Sequence, residues 1–235
     1  MKSVVVLSGG MDSAVLLAKL LDEGHEVKCI TFDYGSKHGP KEQQAAKELC
    51  AHYNVQHFIY RLNVSGLLES NLLSSGGEIP DGHYAAPNMK QTVVPFRNAI
   101  MISLAVGYAE SHNYQAVAIG AHSGDHYIYP DCRPGFLTSM REAALNGTDN
   151  EIDLIFPFSR MHKRHIAALG AELRVPFEKT WTCYKGQEVH CGTCGSCTER
   201  KEAFIQAGVK DPTVYMVPAL EHVKESNLHE FYDYE

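Results

Sequence analysis

Two short stretches of this chain hold the residue types that do chemistry. The first is Ser8-Gly9-Gly10-Met11-Asp12-Ser13. Its paired glycines allow a tight turn and let an anion reach the backbone N–H groups with no Cβ in the way. Ser8 and Ser13 add hydroxyl donors, and a helix starting here would turn unpaired N–H groups and its positive dipole end to the same spot. The stretch from Leu7 to Ser13 therefore reads as a cradle for phosphate. It lacks the Gly-x-x-x-x-Gly-Lys-Ser/Thr pattern and has no lysine in the turn, so a divalent cation or basic residues elsewhere must neutralise the phosphates. Asp12 is suited to hold Mg2+ beside a pyrophosphate. The plainer alternative is a glycine-rich turn with Asp12 as helix N-cap.

The second stretch is Cys183-x7-Cys191-x2-Cys194-x2-Cys197, with Gly192 and Gly195 permitting the turns that bring the sulfurs together. Four thiolates suit one tetrahedral Zn2+, and a full shell marks a structural site, since no position remains for water or substrate. An iron–sulfur cluster is the rival occupant. His190 is a possible substitute ligand that four thiols make unnecessary. The chain has seven cysteines and no export signal, which argues for reduced thiols in a cytoplasmic protein. Between Trp181 and Thr198 there are few large apolar residues, so metal rather than a core must close this segment.

The elements that position these stretches follow from periodicity. Residues 4–7 read as a buried strand, and Ala14, Leu17, Ala18 and Leu21 as one face of the helix behind the turn. Strands over 26–32 and 55–62 flank a helix over 40–53 with Ala45 and Leu49 on one side. Further along come a helix over 97–112 with Ile100, Leu104 and Tyr108 on one face and Met101 beside them, a strand over 116–120 and a polar loop over 121–133. A helix through Phe136, Met140 and Ala144, a strand over 152–156, and helices over 164–173 and 198–207 complete the order. This alternation predicts an α/β fold with a doubly wound parallel sheet, whose ligands sit outside the carboxyl ends of the strands. Ser8 and Asp33 both lie at such ends. Residues 63–92 read as a long irregular loop, either a lid, an oligomer contact or a plain excursion. The expected division is a nucleotide-binding domain over 1–180 and a zinc-binding region with tail over 181–235.

Bulk composition narrows the partners. The chain has 235 residues, 44% of them hydrophobic, and a formal charge of −7, which disfavours a broad nucleic-acid surface. No apolar run of about 18 residues suited to a bilayer is apparent in it, so no membrane partner is expected.

The stretches occur in an order that carries further meaning. The strand–Ser-Gly-Gly-x-Asp-Ser–helix arrangement resembles the pyrophosphate (PP) loop of the ATP pyrophosphatases. Adding Phe32-Asp33-Tyr34-Gly35 with His38, Val94-Pro95-Phe96-Arg97-Asn98, Gly120 with Asp125, Tyr129-Pro130-Asp131-Cys132-Arg133 and Thr182-Cys183-Tyr184, the chain resembles the 7-cyano-7-deazaguanine synthase (QueC) family. The resemblance implies an adenine-nucleotide α/β sheet with a zinc-bearing C-terminal region, often dimeric, and so a homodimer. It implies 7-carboxy-7-deazaguanine, ammonia and ATP as substrates. A carboxylate is a poor electrophile, so AMP transfer to its oxygen supplies a leaving group; ammonia then gives the amide, and a second activation gives the nitrile.

By the same resemblance Leu7, Ser8, Gly9, Gly10, Met11, Asp12 and Ser13 hold the ATP phosphates, and Thr31, Asp33, Tyr34 and Gly120 lie at its adenine and ribose. Arg97 neutralises phosphate or the substrate carboxylate, Lys163 reaches the α-phosphate, and Asp125, Asp131 and Arg133 lie at the ligand edge, where they read the deazaguanine face, bind Mg2+ or only stabilise turns of the loop. Cys132 reads as a buried apolar residue, since adenylation needs no thiol. The chain departs from the family pattern at Gly135 and at Arg164-His165, where acidic residues are usual. The alternatives are a relative that joins the activated deazaguanine to a protein amine, another ATP pyrophosphatase such as a tRNA thiolase, and a zinc-ribbon nucleic-acid binder.

Overall fold

A computed structural model describes residues 1–64, 66–124 and 128–217. Five parallel strands, β1 (Lys2–Val6), β2 (Glu26–Asp33), β3 (Gln56–Arg61), β4 (Ala116–Ala118) and β5 (Asp153–Ile155), form one sheet in the order β3-β2-β1-β4-β5. Along β1 the side chains alternate. Val4 and Val6 enter one core layer, while Val5 and Leu7 just beyond the strand enter the other. A strand buried on both faces has no polar side, which is why it reads as a continuous apolar run.

Helices α1 (Met11–Asp22), α2 (Gly39–Tyr53), α5 (Lys163–Glu172) and α6 (Gly195–Ala207) cover one face. Helices α3 (Arg97–Ser111) and α4 (Pro134–Gly147) cover the other. The chain winds outward from β1 to β3, crosses back over the sheet in α3, and winds outward again through β4 and β5. The reversal lies between β1 and β4, and a crevice opens there at the strands' carboxyl ends.

Two helix faces differ from the sequence expectation. Helix α1 is buried on almost every side, from Met11 through Leu20 with Asp12 and Lys19 as the breaks, because α5 packs on the side away from the sheet. Burial of Leu16, Leu17 and Leu20 stabilises by roughly 1.5–3 kcal/mol each. In α3 the inward stripe is Met101, Ile102, Ala105 and Ala109, while Leu104 is 38% exposed. Alanines let the helix axis approach the sheet closely, so the stripe is set by small size rather than by the largest apolar residues. The stretch Pro87–Ser111, whose most apolar 18-residue window has a mean hydropathy of 1.3, does have the length and composition of a membrane span, contrary to the expectation of no such run. Here it comprises a 3-10 turn and α3, and half of its most apolar window is buried.

Residues 63–92, apart from Ser65, pack as a strap. Leu72 and Leu73 enter the core, and Asp81 accepts hydrogen bonds of 2.6 Å from both Lys185 Nζ and Thr193 Oγ1 in the cysteine-bearing segment.

Candidate active site

The turn after β1 is built as the glycines require. Gly9 adopts φ +87°, and a Cβ there would lie 2.4 Å from the Glu42 carbonyl oxygen, so the loop fits against α2 only without a side chain. The first intrahelical bond of α1 runs from Ala14 N–H to the Gly10 carbonyl, so the amides before it point out of the helix end into the crevice. Ser13 Oγ donates to the Gly10 carbonyl at 3.1 Å and pairs with Ser8 Oγ at 3.1 Å, which fixes the turn. Gly120, from the loop after β4, faces the turn; a Cβ there would stand 3.2 Å from the Asp12 backbone.

Asp12 is not the helix cap: Gly10 holds that position, and no side chain caps it. Its Oδ2 lies 3.2 Å from Lys163 Nζ and 3.8 Å from His122 Nε2. Burial works against ionisation of Asp12, but Lys163 and His122 outweigh it and hold the pKa below the usual carboxylate value. Asp12 Oδ1 is buried and has no hydrogen-bond partner, which is the geometry of an acceptor reserved for a cation.

Lys163, at the start of α5, also donates to Glu199 Oε2 at 2.7 Å. Glu199 comes from α6, two residues after Cys197, so the cysteine-bearing helix reaches Asp12 in the loop through Lys163 and, at 3.9 Å from Glu199 Oε1, through His122. On the opposite wall Arg97 donates from Nη1 to Tyr34 Oη at 2.9 Å, with its guanidinium 5.4 Å from the Tyr34 ring centre. No carboxylate pairs with it among the described residues, so most of its donors remain for an anionic ligand.

Of the sequence-chosen residues, the crevice collects Leu7, Ser8, Gly10, Met11, Asp12, Ser13, Thr31, Tyr34, Arg97, Gly120 and Lys163. Gly9 backs the loop rather than lining it. Asp33 also lies outside the lining; its Oδ1 accepts from Gly35 N–H at 3.3 Å and its Oδ2 faces Arg61 at 3.5 Å. Thr31 Oγ1 donates to the Leu7 carbonyl at 2.6 Å, tying the two strand ends together. Asp131 stands behind the wall, where its Oδ2 accepts from Asn98 N–H at 2.8 Å at the start of α3. Arg133 is exposed ahead of α4 and does not line the crevice. Asp125 lies outside the described residues. Cys132 is buried, and its Sγ accepts from Asn98 Nδ2 at 3.2 Å.

Sequence reasoning missed His122, Glu199, Glu42, Trp181 and Tyr184, all of which line the crevice. For Glu42 a signal existed: it follows His38 by four positions, one helical turn on the same face. Gly135 and His165, where the chain departs from the family pattern, are both exposed and off the crevice.

The four sulfurs of Cys183, Cys191, Cys194 and Cys197 are buried and lie within 4.8 Å of one another. Around a zinc ion at about 2.3 Å, tetrahedral sulfurs would stand roughly 3.8 Å apart, and the Cys191–Cys197 separation is 3.9 Å. His190 is not part of the set: its Nε2 accepts from Thr182 N–H at 3.1 Å and its ring stacks on Trp181. The donor set therefore fits a tetrahedral metal ion.

A phosphate-cradling turn at the sheet's reversal point, overlain by a helix rooted in four cysteines, defines a PP-loop α/β protein with a C-terminal four-cysteine cluster. The model of the family described as queuosine biosynthesis protein QueC matches residues 2–208. A 7-cyano-7-deazaguanine synthase from Desulfotalea psychrophila is 54% identical over 92% of this chain and 99% of its own length. Another, from Methanoregula boonei, is 47% identical over 92% and 99%. Among solved structures, the NMN synthetase of Francisella tularensis shares the fold at 18% identity and a TM-score of 0.50, covering 88% of this chain and 77% of its own. This chain belongs to the QueC family.

Proposed function

We propose that the chain converts 7-carboxy-7-deazaguanine and ammonia to 7-cyano-7-deazaguanine, using two ATP-dependent activations that each release AMP. The observation that carries this reading is the single crevice joining the outward amides of α1, the uncommitted guanidinium of Arg97 and the Lys163–Asp12 pair. An enzyme that adenylates an acid needs all three: a grip on pyrophosphate, a cation for the acid, and positive charge where the α-phosphate reacts.

In this reading Ser8, Gly9, Gly10 and Ser13 seat the β- and γ-phosphates, with Thr31, Tyr34 and Gly120 around the adenosine, and Asp33, outside the lining, fixes the turn at Gly35. Asp12 holds Mg2+ through the Oδ1 that the protein leaves unpaired; bound there, the ion would neutralise phosphate charge. Lys163 faces the α-phosphate and Arg97 takes the substrate carboxylate. Asp131 acts through Asn98, whose place at the crevice wall it fixes. The thiols of Cys183, Cys191, Cys194 and Cys197 hold one structural Zn2+, which closes the segment that delivers Glu199 to Lys163. All seven cysteines are unpaired, as a reducing cytoplasm would keep them. Of the cations near the cluster, Arg200 and Lys201 are buried and Lys185 is engaged by Asp81, which leaves little basic surface for nucleic acid. The homodimer implied by the resemblance belongs to the same reading.

The test is mass spectrometry of purified protein with substrate, ammonium and magnesium ATP. Amide and then nitrile should appear with AMP, and an unchanged substrate mass overturns the assignment.

A further inference from the structure

Glu42 has no part in the chemistry assigned so far, yet it lines the crevice from the first turn of α2. Its side chain is 19% exposed, and no hydrogen-bond donor reaches its carboxyl among the described residues. The nearest charged or titratable group is His38 Nε2, 3.6 Å away, on a ring 2% exposed and set against Tyr184. Arg97 and Tyr34 face it across the crevice. Burying a carboxyl without a hydrogen bond is costly and brings no stability in return. Its backbone position is fixed by contact with Gly9, so the carboxyl is held beside the phosphate-cradling loop.

The reaction needs such a group. At neutral pH the amine arrives mostly as ammonium, which has no lone pair with which to attack. We propose that Glu42 is the proton acceptor for the amine nitrogen in both halves of the reaction; this inference rests on the function proposed above. In the first half, one ammonium proton passes to the Glu42 carboxylate, and the freed lone pair forms the C–N bond at the acyl carbon. The C–O bond to AMP then breaks, its electron pair leaving on the phosphate oxygen, and the surplus N–H proton goes to solvent. Glu42 returns its own proton to solvent. In the second half it takes an N–H proton from the O-adenylated amide. The last N–H proton is lost to solvent as the C–O bond breaks, the pair again leaves on AMP, and the nitrile remains.

Burial pushes the Glu42 carboxyl up to about 8, against the opposing pull of Arg97, which suits a group that must both take and release protons near neutrality. His38 is no rival as a base, since burial and Arg97 push it down to about 3.

The experiment compares wild type with Glu42→Gln, which keeps shape but cannot accept the proton. Substrate-dependent exchange of labelled pyrophosphate into ATP reports folding, binding and adenylation, and should stay within about twofold. Ammonium-dependent product formation should fall by about 10²–10⁴-fold. Hydroxylamine, largely unprotonated at neutral pH, should restore the variant, giving hydroxamate at close to the wild-type rate. Exchange lost along with turnover would make Glu42 a substrate-binding residue and overturn the inference, as would unchanged ammonium-dependent turnover. Normal exchange by wild type in either case leaves the proposed function standing; wild type without exchange overturns both.

Discussion

The corner that faces the nucleotide and the segment that carries the cysteines are held together by different forces. Around the turn after β1, Val5, Leu7, Met11 and Ala14 to Leu17 are all at most 1% exposed, and the polar work is done by backbone amides. Around the cysteines there is no comparable core among the described residues: the four cysteines pack with the partly buried Ile79, Trp181, Tyr184 and Tyr215. In place of apolar packing α6 buries four consecutive charged residues, Glu199, Arg200, Lys201 and Glu202. Each has a partner. Glu199 takes Lys163, Lys201 donates to the carbonyls of Gly192 and Val217 at 2.9 and 2.6 Å, and Glu202 faces His83 at 3.4 Å. Arg200 donates to Thr180 Oγ1 at 2.6 Å, to the Phe177 carbonyl at 3.2 Å and to Asp211 at 3.2 Å. One corner is made by hydrophobic burial, which tolerates loss of a ligand. The other is made by paired charge around four thiols that fit a metal ion, and in the proposed reading it depends on that ion.

Removing the metal should therefore break the comparison open most widely. Structural zinc sites supply about 10–16 kcal/mol, and nothing apolar near the cysteines can replace that. Chelation, or Cys194→Ser, should raise hydrogen exchange throughout 183–217 and lower Tm by more than about 10 °C, while β1 and β4 keep their protection. Uniform loss of protection across both regions would show that the sheet depends on the metal as well. Next comes Arg200→Met. Deleting one member of a buried charge pair costs about 3–5 kcal/mol, here because Asp211 and the Thr180 and Thr182 hydroxyls lose their donor. Urea unfolding reads this directly, and a loss below about 1 kcal/mol would mean that water enters the site.

The matching perturbation at the nucleotide corner is Gly9→Ala. Positive φ costs an L-residue about 1–2 kcal/mol, and the clash with the Glu42 carbonyl adds roughly 1–2 kcal/mol more. The variant should unfold at lower urea, by about 3 kcal/mol. It should also lose the thermal stabilisation that ATP gives the parent. A variant that is destabilised but still stabilised by ATP would remove this turn from nucleotide binding.

The same contrast explains what could be read from the chain. The parallel sheet and its element order were legible because residues 4–7 are an unbroken apolar run and the helices between strands repeat at helical spacing. Edges were not: α6 begins at Gly195 rather than near residue 198, because the cysteine turn itself forms the first turn of the helix. The cradle and the four thiols were legible because each is a local pattern. Glu199 and His122 were not, because what makes them part of the site is a tertiary approach of α6 and the β4 loop to Lys163 and Asp12, invisible to spacing along the chain. Nor does spacing reveal that Arg200 and Lys201 are buried: their helix has almost no amphipathic signal, since its buried side is charged. The long loop over 63–92 also misled, because Asp81 and the leucines that pin it down are scattered among turn-forming residues.

The smallest predicted effect tests whether the nucleotide corner sacrifices stability for chemistry. Glu42 titrates at about 8 in the folded protein, against an ordinary value of 4.5. Between those two pH values the native state holds a proton that the unfolded chain has released, so the parent loses stability as pH rises through the window. Glu42→Gln cannot titrate and escapes that loss, while the contribution of His38 is common to both proteins and cancels. Without ligand, the variant should therefore gain on the parent steadily from about pH 4.5 to pH 8 and hold a constant margin above it. Allowing for solvent in the open crevice, the margin should reach about 2 kcal/mol. Urea unfolding of both proteins at about pH 5 and about pH 8 gives the difference. A margin that does not change with pH would mean that Glu42 ionises as it would in water, and the crevice would then be wetter than its geometry indicates.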